Sequence, residues 1–502
     1  MMFFNNIFAW LIKKRIRQID FFKNNPTAVQ QILLKDMLIK CSSTKFGGLF
    51  SFKNIQDYST FSQKVPLQDY TTIYPFIEET LQGKKNVLWP GITSWFSKSS
   101  GTTSHRSKIL PVTKEHLFDC HYKGGKDLLS LYYHNYPNRK LYNGKHLIIG
   151  GSSEINSLGK NSYIGDLSAI IIKNLPFWAE IRRTPSRETS LLSNWEEKLD
   201  KMVKETIHED VFILAGVPSW TLVLLKRILE YTGKIHIKEV WPNLELYMHG
   251  GVNFAPYKSE FESIIGKQIN YVETYNSSEG FYGIQDQPNS EEMLLMLDYG
   301  IFYEFIPLDC FNGVHSKTVV SLKDVQLNKN YALVISTNSG LWRYIIGDTI
   351  SFTSNNPYRF KITGRTTQCL NVFGEEVIVE NADRAIAETC TETNAFLKDY
   401  AVFPIFLENN QQGGHEWFIE FSKEPISKEK FTILLDQKLQ EINSDYAAKR
   451  QGDFVLALPK IHNLPKNTFE NWLLSQNKLG GQNKIPRLNN TREIAEQLLK
   501  LL

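Results

Sequence analysis

The chain has 502 residues, 42% of them hydrophobic, 22% charged and 13% aromatic, with a formal net charge of +4. This is the balance of an ordinary globular protein, too long for one core, so two or more domains are expected. So small a net charge gives no ground for a nucleic acid or an anionic membrane as the main partner.

Residues 1–12 are apolar apart from Asn5 and Asn6, and Lys13, Lys14 and Arg15 follow. A secretory signal carries its positive charge before the apolar run, and a membrane span needs about 20 apolar residues. An amphipathic helix packed on the body is therefore expected, with surface membrane contact as the alternative. No other segment suits a bilayer span, so no integral membrane contact is expected. Up to about residue 90 the pattern is mostly helical, with "NPTAVQQILLKDMLIKC" starting at Asn25-Pro26-Thr27. Short apolar runs follow. "HLIIGG", "VFILAGVPSW" and "INYVETY" read as buried strands, and "WTLVLLKRILEYTG" as a helix stopped by Gly233. Strands alternating with helices predict an α/β sheet with parallel pairing, whose ligands gather at the loops after the strands.

Past residue 300, "GIFYEFIP", "YALVISTN" and "YRFKITG" predict an antiparallel sheet or small barrel. A smaller α+β segment begins near Arg365 to Thr367, with "YAVFPIFLE" and "EWFIEFS" as strands and a helix near 427–442. The expected division is 1–365 and 366–502. The five cysteines, Cys41, Cys120, Cys310, Cys369 and Cys390, are odd in number and widely spaced. They argue against a disulfide framework and fit a reducing, cytoplasmic compartment. No histidines have zincin spacing, so no transition-metal site is expected.

Five segments carry candidate chemistry. Ser99, Ser100, Gly101, Thr102, Thr103 and Ser104 form a run of small hydroxyl residues around one glycine, followed by Arg106 and Lys108. Such a run can line a phosphate chain with backbone N–H groups and hydroxyls, or be a plain turn. It is not a Walker loop, because the Gly-Lys-Ser/Thr ending is missing. In "YVETYNSSEGFYGIQ" a strand runs into Tyr275, Ser277, Ser278, Glu279 and Gly280. Glu279 can hold Mg²⁺ through oxygen, and an aromatic there can stack on a purine; the alternative is a surface acid. In "SGLWRYIIGDTI", Arg343 and Asp348 lie among apolar residues, so the carboxylate needs a partner. Either Asp348 accepts ribose hydroxyls or it pairs with Arg343. Gly364-Arg365 marks the composition change, with Thr366 and Thr367 as a hinge. "KLGGQNKIPRL" is a glycine-rich loop with Lys478, Lys484 and Arg487, or a solvated basic loop.

In this order the five segments resemble the adenylate-forming acyl ligases, and more closely the auxin-responsive Gretchen Hagen family of acyl acid–amido synthetases with its bacterial members. The family's Ser-Ser-Gly-Thr-Ser/Thr, Tyr-x-x-Ser-Glu and aromatic-Arg-to-Gly-Asp motifs read here as Ser99–Thr103, Tyr275–Glu279 and Trp342–Asp348. The resemblance spans nearly the whole chain. It implies a large N-terminal domain of mixed sheets, flanking helices and a small barrel, plus a small mobile α+β C-terminal domain. It further implies that Ser99, Ser100, Gly101, Thr102 and Thr103 embrace the ATP phosphates and that Tyr275 and Ser278 border the adenine and α-phosphate. Glu279 would hold Mg²⁺, Asp348 the ribose and Arg365 the nucleotide near the hinge. His249, Gly250 and Gly251 would lie along the adenine, and Lys484 would act once the small domain closes. Ser104-His105-Arg106 stands where the family often has a second glycine, and no aspartate follows Arg365.

The implied reaction joins a small-molecule carboxylic acid to an amine, an amino acid first among them, through an acyl adenylate. Rival readings are an acyl-CoA ligase with a thiol acceptor and a catalytically inactive nucleotide sensor or scaffold. Tyr163, Asp166 and Trp220 are the candidate acyl-pocket residues. Neither the acid, the amine nor the oligomeric state is readable.

Overall fold

The computed structural model describes residues 14–99, 108–139, 141–150, 156–159, 162–192, 194–251, 254–366, 369–370, 375, 377–405, 413–443, 446–447, 450, 456–476 and 484–502. The amphipathic stretch read over residues 1–12 lies outside them. Backbone contacts divide the chain into two compact units. One is Met1–Gly216, Asn243–Gly251 and Ile269–Lys361; the other is Val217–Pro242, Val252–Gln268 and Ile362–Leu502.

The first unit is organised by a 12-stranded mixed sheet. Its parallel part pairs Lys145–Ile148, Val211–Ala215, Leu246–Gly250 and Asn270–Ser277, with Ile213 opposite Leu246 and Met248 opposite Val272. Val211, Ile213, Leu214, Leu246 and Tyr247 are fully buried, which is why these strands read as near-continuous apolar runs rather than alternating ones. The direction reverses at one turn: Gly280–Ile284 folds back antiparallel on Asn270–Ser277. From there Met293–Leu295, Tyr358–Arg365, Tyr344–Asn355, Asn330–Thr337 and Ile301–Pro307 continue the sheet. The antiparallel strands anticipated past residue 300 thus extend the same sheet. The Ser278–Glu279 turn stands where parallel pairing gives way to antiparallel, the kind of switch at which open α/β sheets hold ligands.

A separate four-stranded sheet carries the hairpin Trp95–Ser99 and Lys108–Val112, with Ser162–Gly165 parallel to the first of these strands. In the second unit, the helix Pro218–Thr232 opens with proline and closes at Gly233, whose φ of 67° is left-handed. That is the stop its sequence called for. The three-stranded sheet Phe396–Ile405, Gly414–Lys423 and Lys460–Leu464 accompanies the helices Val379–Thr393 and Lys428–Ile442. The central strand is buried on both faces. Trp417, Ile419 and Phe421 join Leu435 and Leu439 on one side, while Phe418 joins Ala401 and Phe403 on the other. No helix among the described residues is long and apolar enough to cross a membrane. Cys41, Cys120, Cys310 and Cys390 are free thiols.

Candidate active site

The second and third sequence segments meet in the first unit. Tyr275, buried near the carboxyl end of its strand, donates its hydroxyl to Asp348 Oδ2 at 2.5 Å. Two residues past that strand's end, Glu279 is fixed by Ser277, whose Oγ donates to Glu279 Oε2 at 2.7 Å and accepts from the Glu279 amide at 3.1 Å. Ser277 Oγ also pairs with the buried Tyr282 hydroxyl at 2.8 Å. Burial and then the Glu279 charge push the Tyr282 phenol well above its usual value, so it stays protonated as a donor. Two carboxylates, a phenol and hydroxyls therefore converge at the direction switch, with Glu279 buried and Asp348 half-buried. Such a hard-oxygen set suits Mg²⁺.

Arg343 is not the partner of Asp348. It is buried with φ of 45°, a left-handed conformation that a long side chain adopts only under tertiary restraint. Its Nε and Nη2 donate to Glu304 at 2.8–3.1 Å, and its Nη1 donates to the carbonyls of Ser62 at 2.7 Å and Val65 at 2.6 Å. The choice left open by the sequence is settled against an Arg343–Asp348 pair.

Gly250 ends the strand beside Tyr275's strand, opposite Thr274, and a Cβ there would stand 2.4 Å from the Thr274 carbonyl oxygen. Only glycine allows this approach; Gly251 follows with φ of 80°. His249 is buried and its imidazole is pushed down to about 3 by desolvation, so it is neutral. Gly250, Gly251, Tyr275, Ser278, Glu279 and Asp348 thus gather around the ends of two adjacent parallel strands.

Ser99 pairs through its backbone with Lys108 at the end of the hairpin. Ser100, Gly101, Thr102 and Thr103 lie outside the described residues. Tyr163 stacks on Trp95 at 4.9 Å between ring centroids, with Lys173 Nζ 5.7 Å from both rings. Asp166 is buried at the start of the helix Leu167–Lys173, and its charge acts on buried Lys198, whose ammonium is pushed down to about 8 mainly by desolvation.

The remaining candidates are in the second unit. Trp220 is half-buried on the helix Pro218–Thr232. Arg365 ends the strand Tyr358–Arg365. The Lys484 ammonium is pushed down to about 7, by desolvation first and then by Arg487 and Arg365, with Asp399 pulling the other way. Its side chain is nonetheless exposed by surface area. Water therefore offsets part of that desolvation. Arg365 and Lys484 share one electrostatic neighbourhood.

Sequence models of the GH3 family N-terminal, central and C-terminal domains match residues 15–269, 294–365 and 380–493. The chain belongs to the GH3 family. This GH3 chain is 23% identical to the Arabidopsis thaliana indole-3-acetic acid-amido synthetase GH3.3, over 97% of its own length and 93% of that protein. It is 24% identical to GH3.4 of the same plant over 94% and 91%. Its fold matches the solved GH3.15 acyl acid amido synthetase complexed with 2,4-DB at a TM-score of 0.79, with 17% identity and coverage of 97% and 96%. A 2-hydroxyisobutyryl-CoA ligase bound to 2-HIB-AMP matches at 0.60, with 12% identity and coverage of 94% and 92%. The GH3 chain thus has the fold of adenylate-forming ligases.

Sequence reading missed Glu304 and Tyr282, and with them His116, Cys120, His121 and Asn338. Glu304 sits inside an apolar strand, and a buried acid there signals an internal cation. His116 and His121, five residues apart, give no α-helical stripe, because they meet across a π-helical turn, His116–His121.

Proposed function

We propose that this GH3 protein uses ATP to adenylate a small carboxylic acid and passes the acyl group to an amine, an amino acid first among candidates. The observation that carries the reading is the Tyr275–Asp348 contact beside the Ser277-fixed Glu279, at the sheet's direction switch, in a chain with adenylate-forming relatives. Asp348 accepts the ribose hydroxyls. Tyr275, Ser278, Gly250 and Gly251 border the adenine and α-phosphate. Ser99, Ser100, Gly101, Thr102 and Thr103 embrace the phosphates, and Glu279 holds Mg²⁺, whose charge offsets that of the phosphates.

An acid oxygen attacks the α-phosphorus, the bond to pyrophosphate breaks, and a mixed anhydride forms with AMP as its leaving group. The amine nitrogen then attacks the acyl carbon, AMP departs, and the nitrogen releases a proton. Catalysis in both steps is chiefly positioning and charge stabilisation. Arg365 and Lys484 bring positive charge from residues 366–502 and their junction, which we take to be a small mobile domain whose closure shields the anhydride from water. Tyr163, Asp166 and Trp220 serve the acyl pocket. Free thiols support a reducing, cytoplasmic setting.

The test is ATP–pyrophosphate exchange across a panel of carboxylic acids that includes indole-3-acetic acid and 2,4-DB, the acids named for the relatives. Active acids are then offered amino acids and, separately, coenzyme A. Exchange followed by amide is the expected result. A folded protein that exchanges with no acid in the panel, or yields only thioester, would sink the reading.

A further inference from the structure

Behind the Glu279 turn lies a buried polar hub that the reaction above does not use. The strand Lys108–Val112 leads through Thr113 into the π-helical turn His116–His121, then the helix Tyr122–Asn135. A π turn is a rare insertion in helical geometry and recurs at functional sites. His116 and Cys120 are fully buried, and His121 and Asn338 nearly so.

The hydrogen bonds assign the protons. Asn338 Nδ2 donates to the carbonyls of Glu115 at 3.2 Å and Tyr299 at 3.5 Å, so its Oδ1 is the acceptor. His116 Nδ1 then donates to that oxygen at 3.1 Å, which leaves a lone pair on His116 Nε2 for the His121 Nε2 proton at 3.0 Å. Burial holds both rings neutral, His116 pushed down to about 4. Cys120, its thiol pushed up to about 12, accepts the Phe281 amide at 3.2 Å. The hub therefore grips the turn at Phe281, two residues past Glu279. It is tied in turn to the hairpin through Thr113, whose Oγ1 donates to the Asn338 carbonyl at 2.6 Å. Asn338 itself stands just before Ser339, at the start of the segment that delivers Asp348.

We propose that Cys120 and, through it, the neighbouring His116 oriented by Asn338 are positioning residues that hold the turn at Phe281 so that Glu279 meets magnesium and phosphate. His116, Cys120 and His121 also have ligand atoms within 4.8 Å of one another. In the assigned network the His116 lone pair is filled by a neighbour's proton and the thiol keeps its own, while His121 Nδ1 is buried without a hydrogen-bond partner among the described residues, so the cluster reads as a hydrogen-bonded prop. The inference rests on the reading of Glu279 given above.

The experiment measures the magnesium and ATP dependence of pyrophosphate exchange in His116→Leu, His116→Asn, Cys120→Ala and Cys120→Ser, with folding checked by circular dichroism. His116→Leu is expected to raise half-saturating magnesium about tenfold, while His116→Asn, which keeps a donor toward Asn338, restores it to within about twofold of wild type on the same scale. Cys120→Ala and Cys120→Ser repeat the contrast at smaller size. If His116→Leu does not fold, the cysteine pair decides. Glu279→Gln separates the two ideas. Should it leave the magnesium curve unmoved, the Glu279 reading fails. Should it move the curve while folded His116→Leu and Cys120→Ala do not, the positioning role fails alone. One equivalent of zinc in wild type, lost in Cys120→Ala, would overturn the prop in favour of a metal site.

Discussion

Arg343 and Asp348 stand in one stretch of chain and have opposite surroundings. Arg343 is buried, with its guanidinium matched by the Glu304 carboxylate and by the Ser62 and Val65 carbonyls. Asp348 is half-buried, its Oδ2 held by the Tyr275 hydroxyl in a neighbourhood that also holds the Glu279 carboxylate. A charge that only stabilises a fold is neutralised within it, because an unmatched buried ion costs several kcal/mol. Asp348 is only half-buried and near a second acid, the setting in which our proposal places the nucleotide. The contrast separates a residue that holds the backbone, Arg343 in its left-handed turn, from one that reaches solvent, Asp348.

The comparison breaks first at its structural end. Arg343→Ala leaves Glu304 buried without its cation and should destabilise the first unit by about 3–5 kcal/mol, read as a lowered urea midpoint. If the variant is as stable as wild type, Arg343 is no keystone. The ligand end comes next. Asp348→Ala should raise the Michaelis constant for ATP by the loss of a charged hydrogen bond, about 1.5–3 kcal/mol, with a much smaller change in urea midpoint. Normal ATP kinetics in that variant would remove Asp348 from the nucleotide.

Much of this arrangement was legible in the residues. "VFILAGVPSW" and "INYVETY" gave parallel strands because burial on both faces leaves a continuous apolar run. Gly233 gave a helix end because a left-handed stop favours glycine. The Tyr275–Glu279 motif was visible as polar residues at the end of an apolar run, and Trp342–Asp348 as charged residues within one. The Glu304 partner of Arg343 was hidden because it lies 39 residues away on another strand. The hairpin Trp95–Ser99 and Lys108–Val112 was hidden because its strands are short and enclose a hydroxyl-rich run that reads as loop. The His116–His121 contact was hidden because its five-residue spacing closes only in a π turn.

Protonation sharpens the comparison further, because the core also holds histidines with no charge to match. His116 and His146 are pushed down to about 4 and His249 to about 3, each mainly by desolvation. Unfolding exposes them near 6.5, so between that value and the folded ones the unfolded chain binds more protons. Their stabilising effect is complete above about 6.5 and is lost as pH falls toward 4. Each should contribute a slope of about 1.4 kcal/mol per pH unit in that window, and His116→Asn should remove one such slope. Urea midpoints from pH 7 to 4.5 that coincide for wild type and variant would refute the assignment.

The smallest test concerns the link between the two acids' neighbourhoods. Tyr275→Phe removes the hydroxyl at 2.5 Å from Asp348 and leaves the ring against Tyr282 at 4.6 Å between centroids. One hydrogen bond to a charged group is lost and packing is kept, so the change should be about 1.5–3 kcal/mol if Asp348 depends on that donor alone, and nearer 1 kcal/mol if water replaces it. Since Asp348 is half-buried, water reaches it and the lower figure is expected. The effect should appear as a severalfold rise in the Michaelis constant for ATP with kcat little changed, the sign of an interaction made equally in ground and transition states. A fall in kcat with an unchanged Michaelis constant would instead place the Tyr275 hydroxyl on the reacting phosphate, and its bond to Asp348 would then be one that nucleotide binding breaks.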